Sequence, residues 1–138
     1  MTEPAQPIAY FNNTFVEAMA LARDARDYLV RHEGKDHKTL SPTARLAACC
    51  ESMRVTTRIA QIIAWLLVQK AIHAGEIARE EAAEARYRLG GQRVCAATAP
   101  FAGEAVPDRL AELLDRSHRL YMRVARLDAL LDRENMNI

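Results

Sequence analysis

Apolar residues recur along this chain at alternating intervals of four and three, the spacing that lines side chains up on one face of an α-helix. The pattern occurs three times. Phe11, Phe15, Ala18, Ala22, Ala25 and Leu29 carry it through residues 11–31. Leu46, Cys50, Met53, Thr57, Ala60, Ala64, Leu67 and Ala71 carry it through a longer stretch, and Leu110, Leu113, Ser117, Leu120, Val124, Leu127 and Leu131 through a third that ends near Arg133. Each is a heptad seam of the kind that packs helix against helix. The long stretch has marked ends. Ser41 can accept from the first free backbone N–H groups, Pro42 suits the first helical position, and Gly75 suits the position just past the end. A capping box of Thr14 and Glu17 would start the first helix near residue 15.

The segments between are of a different kind. Residues 1–9 hold two prolines and read as a flexible arm, and residues 32–40 form a short polar connection. Residues 76–89 read as a shorter helix ended by Gly90 and Gly91, followed by a loop rich in small residues over 90–106. Residues 132–138 make a short tail. The prediction is one all-α domain over 1–138: three long antiparallel helices in an up-down bundle, with one short helix in the second connection.

The long helix does not fit this plan completely. From Ile59 to Val68 it is apolar nearly all the way round, and a helix apolar on every side must be covered on every side. Projected at 100° per residue, Ile62 and Trp65 fall opposite the seam, with Arg58 and Gln69, while Ile59 and Leu66 flank it. Two covers fit this second patch: the connection of residues 76–106 folding back, or a second protomer meeting the first across a two-fold axis.

Composition narrows the function. Half of the residues are apolar, glycine and proline are scarce, and the formal net charge is +1, which gives no bulk attraction to nucleic acid. No basic N-terminal segment leads into a long apolar run, as a secretory signal does. The run from Ile59 to Val68 is about half of the roughly 20 residues that a membrane helix needs. Three cysteines, two of them adjacent at Cys49 and Cys50, read as reduced thiols packed as small apolar residues.

The polar positions of interest are few. Asp128 projects onto the core side of the last helix, where a carboxylate needs a partner. Arg54, Arg58 or Arg45 of the long helix can supply it in a structural ion pair. Arg116, Arg119, Arg123 and Arg126 line the outer side of the last helix, either as a solvated face or as a docking strip for an acidic partner. Asp115 and His118 stand at i, i+3, but no Glu-x-x-His motif, phosphate loop or nucleophile elbow is present, so no catalytic residue, metal site or cofactor is expected. An enzyme would have to use Asp128, or Asp115 with His118. A small-molecule-binding bundle would place its pocket at Trp65 and Ile62, beside residues 90–106.

The stretches ESMRVTTRIAQIIAWLLVQKAIHAGEI, EARYRL and LAELLDRSHRLYMRVARLDALL resemble the RcdA family, the regulators of CtrA degradation, from about Phe11 to Leu131. The run from Ser52-Met53-Arg54 to Trp65-Leu66-Leu67 and the triplet Arg126-Leu127-Asp128 carry the likeness most specifically. The resemblance implies a helical, homodimeric, non-enzymatic adaptor. It implies delivery of cell-cycle regulators to the ClpXP protease, with a CpdR-like response regulator and a PopA-like effector as partners, in the cytoplasm and at a cell pole. The partner or dimer surface is expected at Ile59, Ile62, Trp65 and Leu66 and along the arginine strip. The last seam leucine stands about seven residues from the end of the sequence, so a long tail for reaching protease or cargo is not part of this reading.

Overall fold

The structure is a computed structural model that describes residues 5–136, and every regular element among them is helical. The long helices are α1 (Ala5–Arg31), α3 (Pro42–His73) and α5 (Asp108–Met136), with short helices α2 (Glu33–His37) and α4 (Gln92–Cys95) in the two connections. The ends of α3 form as their chemistry requires. The Ser41 hydroxyl accepts from the Ala44 N–H at 3.2 Å, and Gly75 takes a left-handed φ of 82° past the last turn.

Other boundaries differ from the expectation. The arm expected over residues 1–9 is helical from Ala5 onward, and residues 1–4 lie outside the described part. Pro7 falls in the first turn of α1, where its missing N–H costs no hydrogen bond. Thr14 does not cap the helix. Its hydroxyl donates to the Tyr10 carbonyl one turn back, at 2.9 Å. The expected tail is largely helical too, because α5 continues to Met136.

The order of directions also differs. The Phe11 ring near the start of α1 meets Trp65 near the end of α3 edge-on, while the short link of residues 32–41 joins the end of α1 to the start of α3, so α1 runs antiparallel to α3. Asp24 pairs with Arg116 and Glu17 with Arg123, so α1 runs antiparallel to α5. Arg58 meets Ser117 and Trp65 meets Asp128, so α3 and α5 run parallel. A parallel pair needs a connection that travels back along the bundle. Residues 76–106 do this as a strap, passing Asp128 at Arg88, Tyr121 at Gly90 and Arg54 at Ala99.

The strap holds little regular structure. The short helix expected over residues 76–89 is instead a turn followed by 3₁₀ pieces at Glu81–Ala83 and Ala85–Tyr87. Ile77, Tyr87 and Leu89 are too few to give that segment an apolar stripe, and so short a helix is marginal without one. Helix α4 falls in the stretch expected to be a loop. It starts where Gly91 takes a φ of 73°, and it drops Cys95 into the core.

The core joins Ala18, Leu21 and Tyr28 of α1, Ile59, Ile62 and Leu66 of α3, and Leu110, Leu120, Tyr121 and Val124 of α5. The seam predicted for α5 is its buried face through Val124. The α1 stripe is rotated slightly, with Tyr28 buried and Leu29 exposed. On α3 the expectation is reversed. Leu46, Met53 and Leu67 of its predicted seam are 58%, 69% and 51% exposed, whereas Ile62 and Trp65 are 0% and 2% exposed. By length and composition alone α3 could cross a membrane. In this fold its inner face carries Glu51, Ser52 and Arg58, held within the bundle.

Candidate functional site

The inner face of α3 and the strap form one polar clasp. A strap of irregular backbone leaves carbonyl oxygens without ladder partners, and buried ones need donors from elsewhere. Arg58, 1% exposed, supplies most of them. Its Nε donates to the Cys95 carbonyl at 2.9 Å, and one terminal nitrogen donates to the Ala97 carbonyl at 2.8 Å. The other reaches the Leu114 carbonyl and the Ser117 hydroxyl on α5. Arg54 donates to the Ala97 and Ala99 carbonyls. His118 Nε2 lies 3.1 Å from the Ala96 carbonyl. A carbonyl can only accept, so that nitrogen carries the proton. Burial, then the nearby Arg54 cation, lowers the pKa of Arg58 from its ordinary value, and the ring of acceptors offsets that cost.

The same strap is pinned at its other end. Arg88 donates from Nε to both Asp128 oxygens at 3.0 Å and pairs with Asp132 at 3.0 Å. Trp65 Nε1 donates to Asp128 at 2.9 Å. The Asp128 hydrogen bond, ahead of the opposing effect of burial, raises the pKa of Arg88. Gly90 packs so close to Gln61 that a Cβ there would sit 2.7 Å from the Gln61 side-chain oxygen, and the Tyr121 hydroxyl donates to the Gly90 carbonyl at 2.7 Å.

The proposed ion pair is thus half right. Asp128 is buried and paired, but its cation is Arg88 of the strap rather than Arg54 or Arg58 of α3. Arg45 is spent on the His37 carbonyl. Arg54 and Arg58 reach carbonyls because they stand further toward the α3 N-terminus, beside the second half of the strap. Ile59, Ile62, Trp65 and Leu66 come together, but in the core, so they are not a partner or dimer surface. Trp65 is enclosed by Phe11 and Asp128, which also fills the place expected for a small-molecule pocket. Both Asp128 oxygens accept hydrogen bonds, from Arg88 and Trp65. Asp115 and His118 line a cavity of about 200 Å³ with Glu51, Arg54 and Arg58. Glu51 is buried there with its Oε1 3.4 Å from an Arg54 terminal nitrogen, an ion pair without a well-formed hydrogen bond.

Tyr121 gives the clasp a pH dependence. Burial, and then the neighbouring Cys95 and Asp128, pushes its hydroxyl up to about 12. An unfolded tyrosine ionises near 10. The folded state therefore holds the proton longer, and the stability this contributes is complete below pH 10 and lost as the pH rises toward 12. The expected loss is about 2–3 kcal/mol. Urea midpoints measured from pH 9 to 12 should fall more steeply for the native chain than for Tyr121→Phe, and equal slopes would refute the assignment.

Two surfaces stand out on the exterior. One is the predicted α3 seam, which contains no charged residue: Leu46, Met53, Ala60, Ala64 and Leu67 are exposed, and Cys50, Thr57 and Ala71 half-buried. Cys49 beside it is exposed, while Cys95 is the cysteine that packs as a core residue. The other is the arginine face of α5, where Arg116 pairs with Asp24, Arg119 with Asp115 and Arg123 with Glu17. The sequence pattern identified both stripes. It placed the first of them inside.

These features define an all-α protein with three long helices around a strapped core. The chain belongs to the family described as "Protein of unknown function (DUF1465)", the RcdA-like family, which it matches over residues 3–138. It is similar to RcdA from Caulobacter crescentus CB15, a crystal structure 40% identical in sequence, with a TM-score of 0.68 over 88% of this chain and 89% of that one. No curated protein matches the chain.

Proposed function

We propose that this chain is a non-enzymatic adaptor in regulated proteolysis, delivering cell-cycle regulators to ClpXP in the cytoplasm and at a cell pole. Its partners are a CpdR-like response regulator and a PopA-like effector. The observation that carries this reading is the 40% identity to RcdA along nearly the whole of both chains. The test is reconstituted degradation of a cell-cycle regulator by ClpXP. Adding this chain with the two partners should accelerate proteolysis, and an unchanged rate with all components present would overturn the adaptor role.

The adaptor acts as a homodimer joined through the exposed α3 seam. An uncharged heptad stripe in water is stabilised when a like stripe covers it. This stripe is also self-complementary in the antiparallel sense that a two-fold axis requires. Centred on Thr57, it sets Leu46 against Leu67 of the partner subunit and the long Met53 against the small Ala60 of the partner subunit. The contact runs roughly 30 Å along each helix. Light scattering should return twice the 15.5 kDa of one chain. Met53→Glu with Leu67→Glu should give a folded monomer. With Cys49 and Cys50 changed to serine, Thr57→Cys should form a disulfide between two copies. A native monomer at micromolar concentration would refute the seam.

A further inference from the structure

The outer side of α5 meets α1 along an open groove of about 660 Å³. The core leucines Leu21 and Leu120, 2% and 3% exposed, lie at its floor, half-buried Met122 lies along it, and Arg116, Arg119, Arg123 and Arg126 line its α5 side. These arginines follow at intervals of three, four and three, so they share one helical face over about 15 Å. Glu17 is the one carboxylate among the lining residues, which makes the formal charge of the groove four positive less one negative, or +3, with His118 neutral. The whole chain carries only +1. Charge gathered beside apolar walls focuses the field there.

The arginines are not locked to their present partners. Arg119 and Asp115 are 71% and 66% exposed in their side chains. Arg116 with Asp24 and Arg123 with Glu17 also lie at the solvent boundary. Arg126 meets no carboxylate within ion-pair distance among the described residues. Solvated pairs of this kind are worth about 0–1 kcal/mol, so an incoming carboxylate can replace Asp115 or Asp24 at small cost. Every basic residue of α5 apart from His118 is arginine, whose planar fork takes a carboxylate in two parallel hydrogen bonds. A straight, narrow row beside apolar side chains on a nearly neutral chain suits an amphipathic peptide better than a nucleic acid, which needs basic charge spread along its backbone.

We propose that this groove docks an acidic amphipathic helix of a partner protein. Its apolar edge lies on Met122 and the aliphatic stems of the arginines, and its Asp and Glu side chains reach Arg116, Arg119, Arg123 and Arg126. The proposal rests on the adaptor reading in that it supplies the surface an adaptor needs.

The probe is a fluorescein-labelled helical peptide of about 18 residues, with leucines on one face and glutamates flanking them. Anisotropy should show saturable binding that weakens as salt rises from about 50 to about 500 mM. Arg119→Glu with Arg126→Glu should weaken it at least about tenfold with unchanged helical circular dichroism, while Arg119→Lys with Arg126→Lys should lose less. Arg79→Glu in the strap, exposed and outside the groove lining, should leave it intact. No binding, or equal binding by the charge-reversed variant, overturns the proposal. So does equal or tighter binding of a single-stranded DNA of matched charge. A chain that stimulates ClpXP without binding the probe overturns the groove alone. One that binds the probe without stimulating ClpXP overturns the adaptor role alone.

Discussion

Trp65→Ala is expected to lower the free energy of unfolding by about 3–5 kcal/mol. In a chain of 138 residues that corresponds to a drop in melting temperature of roughly 10–20 °C. The effect is large because three elements converge on one indole. Phe11 of α1 packs edge-on at 5.8 Å, Asp128 of α5 accepts the indole N–H, and Arg88 of the strap holds the same carboxylate. Alanine leaves a cavity and removes one of the Asp128 donors. Trp65→Phe separates these contributions. It keeps the aromatic contact and leaves Asp128 with Arg88, so about 1 kcal/mol should be lost. Thermal or urea melts of the two variants give the comparison. A mild Trp65→Ala effect with loss of partner binding would show instead that this side chain faces a partner.

Arg58→Met is the second large expectation, at about 2–4 kcal/mol. Methionine retains the apolar stem but donates nothing. The Cys95 carbonyl then loses the Arg58 donor, and the Ala97 carbonyl keeps only the longer bond from Arg54, at 3.3 Å. An unsatisfied buried acceptor costs about 1–3 kcal/mol, and removal of a desolvated cation offsets part of that. The loss should be local first. Amide exchange should quicken over residues 92–99 before it quickens in the middle of α1 or α5. Uniform acceleration along the chain, or a loss well under 1 kcal/mol, would show that Arg58 does not hold the strap.

The helices themselves were legible in the sequence. Ser41-Pro42 and Gly75 bracket α3, and the leucines of α5 mark its inner face, because caps and heptads are local chemistry. The buried site of Asp128 was legible for the same reason: it falls on the α5 core stripe. Its partner was not. Arg88 stands 40 positions away in a segment whose pattern read as a short helix. The orientation of α3 was hidden by an ordinary rule. Charged and polar residues seldom go inside, so Arg58 and Gln69 argued for an outer face and Leu46, Met53 and Leu67 for an inner one. The rule gave way because the strap brings unpaired carbonyls against α3, and arginine side chains are what those carbonyls need.

The sequence alone therefore determined that three long helices form, where α3 begins and ends, and which two stripes of α3 are apolar. Intervals of three and four specify a face without reference to anything distant. Only the tertiary structure decided which stripe is core, that α5 runs parallel to α3, and that much of the predicted α3 seam is left at the surface. Each of those depends on the path of residues 76–106, and that path is set by contacts among Arg54, Arg58, Trp65, Arg88 and Asp128, which no local spacing encodes.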